Sequence, residues 1–178
     1  MKGSRVAKRY ARALIELATD PTQLEAWASE LAQLAAAASA PELVERLATP
    51  DLSEETRVEA MGKIAELLGL SFPLRSFAVV IARHRRIGEL TAVSEAYLAM
   101  VDEALGRARA TLTFARQPSD PEVEGVAQGL GAIEGKKIIA TVKVDETLLG
   151  GVVAELEGKI YDGSLATMLL EAQQRLSG

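Results

Sequence analysis

Residues 106–115, GRARATLTFA, decide the fold. Within them Ala108, Ala110, Leu112 and Phe114 alternate with Arg109, Thr111 and Thr113, the period-two pattern of a half-buried strand. Everything N-terminal to this stretch repeats at 3.6 residues. Glycine follows the same divide: four of the 14 precede Gly106, and β-branched runs such as KIIATVKV occur only after it. The change predicts two domains, 1–105 and 106–178.

Upstream of the boundary the chain reads as six helices. Val6, Tyr10, Ala13, Leu14 and Leu17 share one face of the first, and Arg5, Arg9, Arg12 and Glu16 the opposite face. Asp20-Pro21 breaks the chain, and Leu24, Trp27, Leu31, Leu34 and Ala38 form the seam of a second helix. Pro41 and Pro50 bracket a short third one, ELVERLAT. Ser53-Glu54-Glu55 has the form of an N-cap followed by acids that complement the helix dipole, with Val58, Met61, Ala65 and Leu68 inside. A fifth helix follows Pro73, carries Phe77, Val80 and Ile81, and ends in Arg83-His84-Arg85-Arg86. The sixth buries Leu90, Val93, Tyr97, Met100 and Ala104. Short connections marked by Pro or Gly make this a compact bundle.

Downstream, Pro118 to Pro121 start a helix carrying Val123, Val126, Ala127 and Leu130. Strands are expected at 137–144, 151–157 and 160–161, with a turn at Gly158-Lys159. Asp162-Gly163-Ser164 is expected to cap a last helix. The order is β-α-β-β-β-α, so the fold class is mainly α: a six-helix bundle followed by a small α+β domain. At about 70 residues the second domain is marginal alone by its surface-to-volume ratio.

Composition narrows the function. The chain has 178 residues, 48% of them hydrophobic and 25% charged, which excludes wholesale disorder. No cysteine is present, which removes disulfides, thiolate metal sites and Cys nucleophiles together. A net charge of −5 gives no long-range attraction to phosphate or anionic lipid, so nucleic-acid or membrane binding would need a local basic patch. No stretch approaches the ~18 apolar residues of a membrane span. The basic, amphipathic start, MKGSRVAKRYARALIEL, has a trait of transit peptides but runs straight into a second patterned segment. It reads as the first helix of the mature fold.

Catalytic constellations are missing from the pattern. The single histidine, His84, lies between Arg83 and Arg85, where neighbouring cations disfavour a metal ion or a protonated imidazole; a helix-end role suits it. No GxxxxGK[ST] loop occurs. GLGAIEG at 129–135 resembles a dinucleotide fingerprint with the wrong spacing, in the wrong order of helix and strand, and reads as a helix C-cap and loop. Adjacent Glu54 and Glu55 point ~100° apart on a helix and cannot share a proton. The chain reads as a non-enzyme with no cofactor and no metal. What remains is surface for partners: the basic stripe Arg5, Lys8, Arg9, Arg12 with Arg83, Arg85, Arg86, and grooves between Ala-rich helices that suit an amphipathic helix.

Three segments are together more specific: RVAKRYARALIELA, VVIARHRRIGEL and VDETLLGGVVAELEGKIYDGSLATMLLEAQQRL. They resemble, collinearly over essentially the whole chain, the delta subunit family of bacterial ATP synthase, whose mitochondrial counterpart is the oligomycin-sensitivity-conferring protein. The first segment alone also resembles helical RNA-binding antitermination factors, and such a factor is the alternative reading. The delta resemblance implies a peripheral-stalk subunit at the cytoplasmic face of the bacterial inner membrane, without membrane insertion and without nucleic acid. It implies that the bundle holds the N-terminal helix of an alpha subunit between its first and fifth helices, a groove involving Tyr10, Ala13, Leu14 and Val80. It further implies that the C-terminal domain binds the C-termini of the b subunits. The motif positions there are Gly150, Gly151, Gly163 and Ser164, read first as fold determinants because glycine at a turn supplies positive φ.

Overall fold

The computed structural model describes residues 5–40, 49 and 52–164. The predicted third helix, ELVERLAT over 42–49, lies outside the described residues except for Thr49, and the last helix, after Ser164, lies outside them. The chain divides into two compact units, Met1–Val101 and Asp102–Gly178. The division falls inside the last turn of a helix, a few residues before the composition break at Gly106.

The first unit holds α1 (Arg5–Leu17), α2 (Pro21–Ala38), α3 (Glu54–Leu67), α4 (Phe72–Arg83), a 3-10 turn over Ile87–Glu89, and α5 (Leu90–Ala104), whose last residues belong to the second unit. The helix counted fifth in the sequence is therefore α4. Helix starts follow local chemistry. The Asp20 carboxylate accepts the Gln23 N–H at 2.9 Å, and the Ser53 hydroxyl accepts the Thr56 N–H at 3.1 Å. For α4 the cap comes from another helix: the Glu30 carboxylate of α2 accepts the Ser71 N–H at 2.7 Å, placing an anion at the positive end of the dipole. Ser39 and Thr91 share a hydroxyl hydrogen bond of 3.1 Å between the end of α2 and the start of α5.

The α2 seam buries Trp27, Leu31, Leu34 and Ala38 as expected, while Leu24 at its start is half-buried. Two faces differ from expectation. In α1 the buried ridge is Ala7, Ala11 and Leu14, while Ala13 is exposed and Leu17 is 62% exposed. Alanine fits either side of a helix, so small residues let the neighbours close on a face that large side chains did not mark. In α5 Val101 takes the buried place expected for Ala104, and Met100 is only half-buried. Among the described residues of the helices, Arg57 of α3 and Asp102 of α5 are buried charges; Arg57 donates from Nη2 to the Leu52 carbonyl at 2.8 Å.

In the second unit β1 (Arg107–Phe114), α6 (Asp120–Glu134), β2 (Lys137–Val144), β3 (Gly151–Leu156) and β4 (Lys159–Ser164) form one sheet in the order β2-β1-β3-β4. β1 runs parallel to β2 and antiparallel to β3, and β4 is antiparallel to β3. Ala108, Ala110, Leu112 and Phe114 all point into the core, joined by Leu130 of α6 and by Ala154 and Leu156 of β3. A full capping box between Ser119 and Glu122 starts α6, and Gly135, in the left-handed region at φ 67°, ends it. Residues 129–134 are thus helix, and only Gly135 is the expected C-cap.

The β3–β4 turn uses Glu157 (φ 50°) and Gly158 (φ 83°), one residue earlier than expected, with the two positive φ values a tight hairpin requires. Asp162, Gly163 and Ser164 lie in β4, and the helix they were expected to cap lies outside the described residues. These residues extend β4 in register with Val153, Val152 and Gly151, because the β3 backbone offers ladder partners over that length.

Candidate functional sites on the two units

On the bundle, Tyr10 is the hinge of the candidate groove. Its ring meets Phe77 of α4 edge-on, with centroids 5.9 Å apart and planes at 71°, which sets α1 beside α4. Residues three and four apart on a helix are surface neighbours. Tyr10 is therefore continued along α1 by Ala13 and Leu17, and Phe77 is continued along α4 by Val80. Tyr10 is half-buried, Ala13 exposed, Leu17 62% exposed and Val80 38% exposed. Leu14, at 3%, belongs to the core and forms the floor rather than the accessible wall. The result is an apolar strip on two adjacent helices with a packed base. Periodicity did not single out Leu17 as an exposed apolar residue, nor the Tyr10–Phe77 pair.

The strip has a charged margin. The Arg9 guanidinium carbon lies 5.6 Å from the Tyr10 ring centroid, in cation–π range. Arg5, Lys8, Arg9 and Arg12 are all exposed. At the far end of α4, Arg83 lies 3.3 Å from Glu54, and His84 is an exposed C-cap followed by Arg85 at φ 56°. His84 thus takes the helix-end place read from its neighbours.

On the second unit a cleft of about 780 Å³ opens between β1, the start of α6 and the loop before β3. Phe114, Val126 and Val152 supply apolar walls, and Leu149, 76% exposed, stands at its mouth. The loop is held by Asp145, which accepts from the Thr147 hydroxyl at 2.6 Å and the Thr147 N–H at 2.9 Å; these bonds lower the Asp145 pKa. Across the cleft Arg116 pairs with Glu122 at 2.6 Å. The Ser119 N–H, Arg116 and the Ser119 hydroxyl, in that order, bring the Glu122 pKa down to about 2.

Two of the expected C-terminal positions, Gly150 and Gly151, line this cleft, with φ of 143° and 84°. Gly163 lies away from its lining in β4, where a Cβ would come within 3.2 Å of the Val152 carbonyl oxygen. Ser164 pairs with Gly151 in the ladder. Below the sheet edge, Tyr161 donates to the Glu134 carboxylate, which also binds Lys159 at 2.9 Å, so the end of α6 is clamped to β4. The Tyr161 bond, then Lys159, holds the Glu134 pKa low.

Among the described residues no three His, Asp or Glu side chains gather as a metal site. No helix among them is long and apolar enough to cross a membrane. The geometry defines a class first: a two-unit protein with an exposed apolar strip on a helical bundle and a partly apolar cleft on a small α+β sheet.

Comparison with known proteins narrows the class to a family. The family model described as ATP synthase delta (OSCP) subunit matches residues 6–176. The ATP synthase subunit delta of Desulfatibacillum aliphaticivorans is 32% identical over 177 residues, covering 99% of this chain and 97% of that one. The protein of the same name from Anaeromyxobacter sp. (strain Fw109-5) is 33% identical over 172 residues, with 96% of each chain covered. A chain in the cryo-EM structure of the Toxoplasma gondii mitochondrial ATP synthase hexamer shares the fold at a TM-score of 0.58 and 14% identity, over 98% of this chain and 99% of that one. This chain belongs to the ATP synthase delta (OSCP) subunit family.

Proposed function

We infer that this chain is the peripheral-stalk subunit of a rotary proton-translocating ATP synthase, tying the catalytic head to membrane-anchored b subunits so that the head does not turn with the rotor. The observation that carries this reading is the collinear family match across both units, residues 6–176. The bundle strip around Tyr10, Ala13 and Val80, floored by Leu14, takes the N-terminal helix of an alpha subunit. The second unit takes the C-termini of the b subunits, with the cleft beside Gly150 and Gly151 as its contact. The chain then sits peripherally, at the cytoplasmic face of the bacterial inner membrane.

Physical chemistry supports that division. A stator performs no bond chemistry; it must stay bound while torque loads it, and affinity among related interfaces is set mostly by off-rate. Slow release needs a few well-packed apolar anchors ringed by contacts that exclude water. Tyr10 held against Phe77 is such a preorganised wall, because its ring need not be ordered on binding. The alternative of a helical RNA-binding factor is not supported by the comparisons, and it leaves the α+β unit without a task.

Affinity purification of the tagged chain from its own cells tests the reading. Alpha, beta and b subunits are expected to co-purify. Recovery of RNA without them would overturn it.

A further inference from the structure

The basic stripe of α1 has no role in a purely apolar groove. Among the described residues Lys63, Arg83, Arg109, Arg116, Lys136 and Lys159 each sit in an ion pair, whereas none of those pairs involves Arg5, Lys8, Arg9 or Arg12. Arg75, Arg85, Arg86, Lys137 and Lys143 sit in none of these pairs either, so what sets the α1 cations apart is their density: four exposed cations within eight residues of one helix, in a chain of net charge −5. Helical geometry locates them. Arg5 and Arg9, four apart, form the ridge next to Val6, Tyr10 and Ala13 and border the N-terminal half of the apolar strip, with exposed Glu16 on the same flank two turns beyond Arg9. Lys8 and Arg12 lie further round. Arg9 is also in contact with the strip, since its guanidinium rests over the Tyr10 ring. An incoming helix that covers Tyr10 meets Arg9 at the same moment.

We propose that Arg9, supported by Arg5, is a specificity-determining residue of the bundle groove, selecting an amphipathic helix that carries carboxylates along the flank facing α1. This rests on the groove reading above. A helix flanked by cations would be repelled there, so the rim discriminates between helices of equal apolar content. Rim charges act mainly on encounter and are screened by salt, so the preference belongs to the association rate and fades as ionic strength rises.

The test uses the intact protein and two synthetic peptides: the alpha-subunit N-terminal segment, and the same segment with every Asp changed to Asn and every Glu to Gln. At low salt the parent is expected to bind the first up to about fivefold more tightly, the upper range of an exposed ion pair. That preference is expected to vanish near 1 M salt, where the Debye length falls to about 3 Å. It is also expected to vanish in the R5Q/R9Q double variant, whose two changes are on exposed side chains and leave the core untouched. Equal binding of both peptides by the parent, or a preference that survives in R5Q/R9Q, overturns the proposal. V80D separates this from the groove itself. If V80D, confirmed as folded, loses both peptides, the groove stands whatever Arg9 does; if it binds both as the parent does, the groove reading fails and this proposal with it.

Discussion

Tyr10 and Phe77 lie 67 residues apart in sequence, yet their rings meet at 5.9 Å between centroids in a T-shaped pair. Phe77 is 8% exposed and Tyr10 half-buried, so one ring belongs to the core and the other to its edge. Aromatic pairs of this geometry contribute about 0.5–1.5 kcal/mol beyond area burial. The contact therefore joins the stability of the bundle to the shape of its contact strip.

The two rings are expected to separate by role. Phe77→Ala removes a core side chain and is expected to destabilise the bundle by about 3–5 kcal/mol. Tyr10→Phe keeps the ring and is expected to leave the unfolding midpoint unchanged. Denaturant titration followed by Trp27, the one tryptophan and a buried residue of α2, reads the first unit without interference.

Much of this arrangement was legible in residues that carry a strong size contrast. Leu31 and Leu34 among alanines mark the α2 seam, and the alternation of Ala108 to Phe114 marks β1 without ambiguity. The α1 face was misread because Ala7 and Ala11, not the larger Leu17, form its buried ridge. Small residues carry little periodic signal, and which of them is covered is decided by neighbouring helices. The DGS segment was not recognised as strand for a related reason. Asp, Gly and Ser favour caps locally, but the backbone of Gly151–Val153 was available to pair with them, and tertiary pairing overrides local preference. The cleft was legible only through its glycines; Leu149 at its mouth sits in a loop, where no periodicity exists to flag it.

The arginines at the end of α4 are expected to matter little for the groove. Reversing Arg83, Arg85 and Arg86 to Glu breaks the Arg83–Glu54 pair, which is exposed on both sides. An exposed pair contributes about 0–1 kcal/mol. Alpha-peptide affinity measured by calorimetry is expected to stay within a few-fold of the parent. Nanomolar RNA binding by the parent, abolished by the reversal, would instead favour the antitermination-type reading.

Glu122 gives the second unit an acid-side signature. Its carboxylate takes the Ser119 N–H, Arg116 and the Ser119 hydroxyl as donors, which lowers its pKa from 4.5 to about 2. A depressed folded-state pKa contributes stability that is fully present above the unfolded value and is lost as pH falls through the folded one. The loss is therefore expected between pH 4.5 and about 2. Glu122→Gln is expected to flatten this part of the profile while lowering stability at pH 7. Hydrogen exchange of the α6 amides across that range checks it, and an identical pH profile in the variant would contradict it.

The central claim is that two units hold two different partners, and Val80→Asp in the intact chain tests it most directly. Val80 is 38% exposed beside Phe77, so a carboxylate there is tolerated by the free protein but is buried when a helix covers the strip. Burying it without a partner costs about 4 kcal/mol, about a thousandfold in affinity. With circular dichroism confirming the fold, calorimetry against the alpha N-terminal peptide and against the b subunits should show the first binding lost and the second unchanged. A folded variant that binds the alpha peptide with parent affinity, or that loses b as well, would contradict the account.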